Sequence, residues 1–151
     1  MTTRVQREDF DPGAEIARLT ADRSDVGALA SFIGLVRGSA KGCRAMTIEH
    51  YPGMTERQLS AIENEAAARW PINDVLVIHR FGRLTPGERI VMVAVTSSHR
   101  AAAFAASEFI IDWLKTKAPF WKLEEGPDGD HWVEAKDDDD SRTERWNRDG
   151  S

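Results

Sequence analysis

Residues 75–98, VLVIHRFGRLTPGERIVMVAVTSS, carry the fold in outline. Two runs rich in β-branched residues, 75–84 and 89–98, flank the turn-forming Thr85-Pro86-Gly87-Glu88, and together they predict an antiparallel hairpin. The next stretch reads as a helix. Ser97 or Ser98 can cap a helix over about 99–117, whose Ala-rich packing positions are joined by Phe104, Ile111 and Leu114 on a predicted inner side. Pro119 ends it.

Outward from this stretch, residues 26–37, VGALASFIGLVR, are apolar and predict a buried strand running into the flexible loop GSAKG at 38–42. Residues 45–51 alternate as a further strand. The segment 52–70 opens on a Pro-Gly turn, with Thr55 as expected N-cap and Gln58 completing a capping box. Leu59, Ile62, Ala66 and Trp70 then recur at helical spacing until Pro71 stops the helix. Residues 120–135 predict a second hairpin about Gly126-Pro127-Asp128-Gly129. Strands and helices do not alternate strictly and no repeat is visible, so the expected class is α+β with a largely antiparallel sheet, two main helices and an added C-terminal hairpin. Residues 1–136 form one expected domain, and 137–151, with the acidic run Asp137–Asp140, an expected mobile tail.

At 151 residues, 41% hydrophobic and 30% charged, the chain can bury a core without disulfides or metal. Its single cysteine, Cys43, has no partner in the chain, which favours a reducing, cytoplasmic setting. No segment has the length of a signal-peptide core or a membrane span. A net charge of -5 with separate basic spots suits a small anion better than a nucleic-acid backbone.

The richest chemistry lies in Lys115-Thr116-Lys117-Ala118-Pro119-Phe120-Trp121-Lys122, three amines around a helix stop and two large aromatics. Lysine beside apolar bulk loses hydration and becomes useful as acid, base or nucleophile, although lysine at a helix C-terminus also simply complements the helix dipole. His99 and Arg100, at the start of the long helix, suit an anion, and Arg37 is a second anion-binding candidate. An intact helix separates Arg100 from Lys115 by roughly 22 Å of rise. Either the two basic spots are separate sites, or a second copy of the chain supplies one of them across a two-fold interface. His50, His79 and His131 lack the close spacings of a metal site, so no structural zinc is expected; His79-Arg80 reads as an edge or interface pair. Phosphate loops, nucleophile elbows and zinc-protease motifs are absent.

Taken in order, FIGLVRG at 32–38, IEHYPGMTE at 48–56, RWP at 69–71, VIHRFGRLTPGE at 77–88, VTSSHRAAAF at 95–104 and LKTKAPFWK at 114–122 resemble the large, catalytic subunit of molybdopterin synthase, the MoaE family. The resemblance runs from about residue 26 to 135. It implies an α/β hammerhead-type fold, a homodimer within a heterotetramer, and no cofactor. Each large subunit would bind a small ubiquitin-like, MoaD-like sulfur carrier whose Gly-Gly tail ends in a thiocarboxylate. The implied reaction delivers two sulfurs to cyclic pyranopterin monophosphate, forming the dithiolene of molybdopterin. It further implies Lys115 and Lys122 as catalytic lysines, with substrate contacts from Leu35, Val36, Arg37, His99, Arg100, Leu123 and Glu124, the His99-Arg100 pair coming from the opposite subunit. The family's Lys-Val-Arg tripeptide here reads Leu35-Val36-Arg37, so position 35 brings no charge. The competing class is a module that binds a ubiquitin-like tail or phosphorylated ligand without turnover.

Overall fold

The computed structural model describes residues 1–38, 42–133 and 137–149. Most of the loop expected at 38–42, and the end of the second hairpin expected at 134–135, lie outside the described residues. In chain order the elements are β1 (Thr2–Gln6), α1 (Pro12–Thr20), β2 (Ala28–Leu35), β3 (Ala45–His50), α2 (Met54–Arg69) and β4 (Ile72–Arg80). They continue with β5 (Gly82–Leu84), β6 (Arg89–Ser97), α3 (Arg100–Thr116), β7 (Phe120–Gly126), β8 (Gly129–Trp132) and α4 (Asp137–Asp149). The architecture is α+β with two mostly antiparallel four-stranded sheets, ordered β1-β4-β6-β2 and β5-β3-β7-β8. Among the described residues, no helix is long and apolar enough to cross a membrane.

The stretch 75–98 is more divided than its pattern suggests. Residues 72–79 pair antiparallel with 91–97 as expected, but the first run breaks at Phe81 and its remainder, β5, joins the other sheet beside β3. Gly82 makes the corner: its φ is +96°, and a Cβ there would sit 2.9 Å from Arg7 Nη1. The Thr85–Glu88 turn forms, with Glu88 N donating to Thr85 O at 3.0 Å and the Glu88 carboxylate accepting from Thr85 N at 2.7 Å. It therefore carries the chain from one sheet to the other. The 120–132 hairpin forms with Gly126 paired to Gly129.

The first sheet is covered on both faces. Val75, Val77, Val93 and Val95 pack with Leu59 and Ile62 of α2 and Phe109 and Ile110 of α3, while Leu76, Ile78, Met92 and Ala94 meet Phe10 and, from α1, Ile16 and Leu19. Strands buried on both faces lose the polar alternation that would orient them, which explains the continuous apolar runs. β2 is an edge strand and only part-buried, not the buried strand its composition suggests.

Several local expectations are corrected. Gly53, not Thr55, caps α2, and the box is closed by Glu56, whose carboxylate accepts from Gly53 N at 2.7 Å. Thr55 is fully buried instead: its Oγ1 accepts from Tyr51 N and donates to Pro119 O at 3.3 Å, tying the start of α2 to the turn after α3. His99 is the N-cap residue of α3 and makes no side-chain cap bond. Phe104 points outward, 64% exposed, whereas Ala102, Ala103, Ala106, Phe109 and Ile110 form the buried stripe. The C-terminal segment, expected over 137–151 as a mobile tail, is helical from Asp137 to Asp149. Thr143 and Trp146 dock it on α3. Trp146 Nε1 donates to Asp112 Oδ2 at 2.7 Å, and its ring meets Phe109 and Trp70 edge-on at 5.7 and 5.5 Å.

Glu63, on the inner face of α2, is 2% exposed and accepts from Thr3 Oγ1 at 2.8 Å. Burial pushes its carboxyl up to about 7, against the hydrogen bond from Thr3, which pulls it down. The folded state thus holds a proton that the unfolded chain releases near pH 4.5. Folding stability should fall as pH rises from about 4.5 to 7 and stay reduced above that. Glu63→Gln should raise stability at pH 8 by roughly 1–3 kcal/mol, a range discounted for residual solvent, and flatten this slope. Urea unfolding of both chains at pH 5 and pH 8 measures it, and a variant equally destabilised at both values would refute the assignment.

Candidate functional site

The end of α3 and the start of β7 form a tight reversal. Lys117 N and Ala118 N both donate to Trp113 O, at 2.8 and 3.2 Å, and Pro119 cannot extend the helix. Phe120 N then bonds Ala118 O at 2.8 Å and the chain returns as β7, held against β3 from His50↔Phe120 to Ala45↔Glu125. Side chains alternate along β7, which turns Phe120 and Lys122 to the inner side and Trp121, 47% exposed, to the outer side. The reversal brings Lys122 back beside Lys115, seven positions earlier.

Both lysines open on one small pocket whose wall is apolar, built from Phe32 of β2, Ile90 and Val91 of β6, and Ile111 and Leu114 of α3. Leu35, 54% exposed at the end of β2, lies on its rim. Two amines beside an apolar wall form a cationic site, suited to holding an anion or stabilising negative charge that develops during a reaction.

His79 also lines this pocket, and the sequence reading missed it. It is not an edge residue: β4 is an interior strand, and His79 and Arg80 are 3% and 7% exposed. Its ring stacks on Phe120 at 3.7 Å between centroids and 15° between planes. Burial, reinforced by the charges of Lys122, Lys115 and His50 and opposed by the hydrogen bond to Arg80 O, lowers its pKa to about 3. His79 is therefore neutral at pH 7. Arg80 faces away, donating to the carbonyls of Arg7 and Arg89 at 3.0 Å each.

The remaining candidates stand elsewhere within one protomer. Val36 is buried, and its backbone is occupied by the turn, its N–H donating to Glu88 O and its C=O accepting from Gly87 N. Arg37, one residue on, is exposed. Leu123 alternates to the face opposite Lys122 and pairs across to Thr47 and Trp132. Glu124 shares the inner face but lies at 3.4 Å from His131 Nε2, beside a separate shallow pocket that includes Cys43. Burial, with help from the Glu124 charge, pushes the Cys43 thiol up and away from its reactive form. His99 and Arg100 are exposed at the far end of α3, which is continuous over Arg100–Thr116. The roughly 22 Å of helix between Arg100 and Lys115 is present, so one protomer does not unite them. Among the described residues, no cluster of His, Cys, Asp and Glu could hold a metal ion.

Fold and site define a two-sheet α+β protein with a lysine-rimmed, apolar-walled pocket. The family described as MoaE protein matches residues 5–117. A molybdopterin synthase catalytic subunit of Mesorhizobium japonicum is 51% identical over 147 residues, covering 96% of this chain and 92% of that protein. Among solved structures, a MoaE protein of Burkholderia ambifaria superposes with a TM-score of 0.83 at 53% identity, over 97% of each chain. A molybdopterin synthase from Staphylococcus aureus superposes with a TM-score of 0.78 at 30% identity, covering 86% of this chain and 95% of that one. This chain belongs to the MoaE family, whose members among these relatives are molybdopterin synthase catalytic subunits.

Proposed function

We propose that this protein is the catalytic subunit of a cytoplasmic sulfurtransferase in molybdenum-cofactor biosynthesis. It takes sulfur from the thiocarboxylated Gly-Gly tail of a small ubiquitin-like carrier and passes it to cyclic pyranopterin monophosphate. The observation that supports this reading most directly is the convergence of Lys115 and Lys122, from a helix end and a strand start, on one apolar pocket. In each transfer the carrier sulfur forms a C–S bond to the pterin side chain as a C–O bond breaks, and Lys115 protonates the departing oxygen. Water then cleaves the acyl–sulfur bond, leaving the carrier with an ordinary carboxylate. Lys122 orients the thiocarboxylate. Arg37, with His99 and Arg100 of the partner subunit, holds the phosphate, an arrangement supported by the uninterrupted length of α3. The name the relatives carry, catalytic subunit, fits a protein that works with a second kind of chain.

The test is reconstitution. Purified protein, thiocarboxylated carrier and pyranopterin should yield a dithiolene product, and carrier ending in a plain carboxylate should yield none. Tight binding of the carrier without product would favour a docking module instead.

A further inference from the structure

The histidine beneath the two lysines has a defined tautomer. His79 Nδ1 lies 2.8 Å from Arg80 O, and because a carbonyl oxygen can only accept, Nδ1 carries the proton. Nε2, at the far tip of the ring, is left with a lone pair and no proton. The stack on Phe120 prevents the ring from turning, and burial on an interior strand holds it in place. Hence the pocket that presents two ammonium groups also presents one neutral acceptor.

We propose that His79 is a positioning residue for the lysine pair, an acceptor at Nε2 that holds an ammonium proton of Lys115 or Lys122 and so sets the direction in which the remaining protons face the substrate. An ammonium has three equivalent donors on a flexible stem and no preferred aim. A fixed acceptor on one side removes that freedom, as partners behind a reactive group commonly do. The groups facing the imidazole are Lys115 from α3, Lys122 from β7 and His50 from β3, and none of them is an acid. His79 therefore stays neutral through the physiological range and cannot take the lysine's place as a cation. This role rests on the sulfur-transfer reading only for its effect on turnover. The tautomer and the coupling to the lysines do not depend on it.

The test uses the intact chain and two readouts. Long-range proton–nitrogen NMR of wild-type protein at pH 7 should show His79 neutral and protonated at Nδ1; a charged ring, or a proton on Nε2, would overturn the proposal without any variant. Exchange of the two lysine Nζ protons with water should then be at least about 10-fold faster for one lysine in His79→Phe, which keeps the stack but removes the acceptor, with recovery in His79→Gln, whose amide oxygen can stand near Nε2. Unchanged exchange would overturn it. In the reconstituted assay, loss of a hydrogen bond to a charged group should lower kcat of His79→Phe by about 10- to 100-fold with little change in KM, and His79→Gln should regain most of it. Should the assay fail with wild-type chain as well, the fault lies in the sulfur-transfer reading, and the NMR result still decides the role of His79.

Discussion

Lys115→Ala is expected to lower the rate of dithiolene formation by at least about 10²-fold, with the fold and carrier affinity close to normal. General-acid assistance is typically worth about 10²- to 10⁴-fold, and a cation over an apolar wall adds stabilisation of the developing oxyanion. The side chain can be removed safely: Lys115 is an exposed residue in the last turn of α3, and its loss opens no cavity in the core. Lys117 supplies the control. It is equally close to the helix C-terminus and equally able to complement the dipole, but it is the exposed C-cap residue and does not line the pocket. Lys117→Ala should therefore stay within about twofold of wild type, since surface substitutions of this kind cost little. Single-turnover rates with thiocarboxylated carrier separate the two variants. Near-wild-type turnover by a folded Lys115→Ala chain would remove Lys115 from the mechanism.

Mixing Lys115→Ala chains with Arg100→Ala chains should restore activity that neither variant has alone. If each site draws Lys115 from one protomer and Arg100 from its partner, a mixed dimer holds one intact site and one doubly defective site. Random exchange makes half the dimers mixed, so about a quarter of wild-type activity should return. The physical reason lies in α3 itself, whose rigid rise keeps the two ends roughly 22 Å apart. Subunit exchange, followed by mass spectrometry on differently tagged chains, must be shown alongside the assay. Proven exchange with no recovery would place both residues of a working site in the same chain.

Much of the site was legible because its signals are local. Lys115, Pro119 and Lys122 sit within eight positions, and a helix stop between two lysines implies a reversal that brings them together. Leu123 and Glu124 were less tractable: strand alternation turns Leu123 to the other side of β7, and Glu124 is taken up by His131. His79 was missed for a definite reason. In sequence it stands beside Arg80, and a His-Arg pair reads as polar and external. Only the packing of β4 between β1 and β6, with Phe120 arriving from a different sheet, shows that its ring is buried against the pocket. Phe104 erred the opposite way, an aromatic at helical spacing that faces outward because the small alanines take the inner stripe. Trp146 was hidden by its company. Acidic and basic residues surround it, and its place against Phe109 and Asp112 is a long-range contact with no periodic signature.

By itself the sequence determined the class of fold, the order of strands and helices from residue 26 to 132, the turns at 85–88 and 126–129, and the lysines at the helix stop. These arise from propensities, periodicities and breakers that act over a few residues. Only the tertiary structure decided that the first hairpin splits between two sheets at Gly82, that β2 is an edge, and that a neutral histidine lies under the two lysines. Those outcomes depend on which elements meet, and on the free energy of burying a polar ring, which no local stretch of chain specifies.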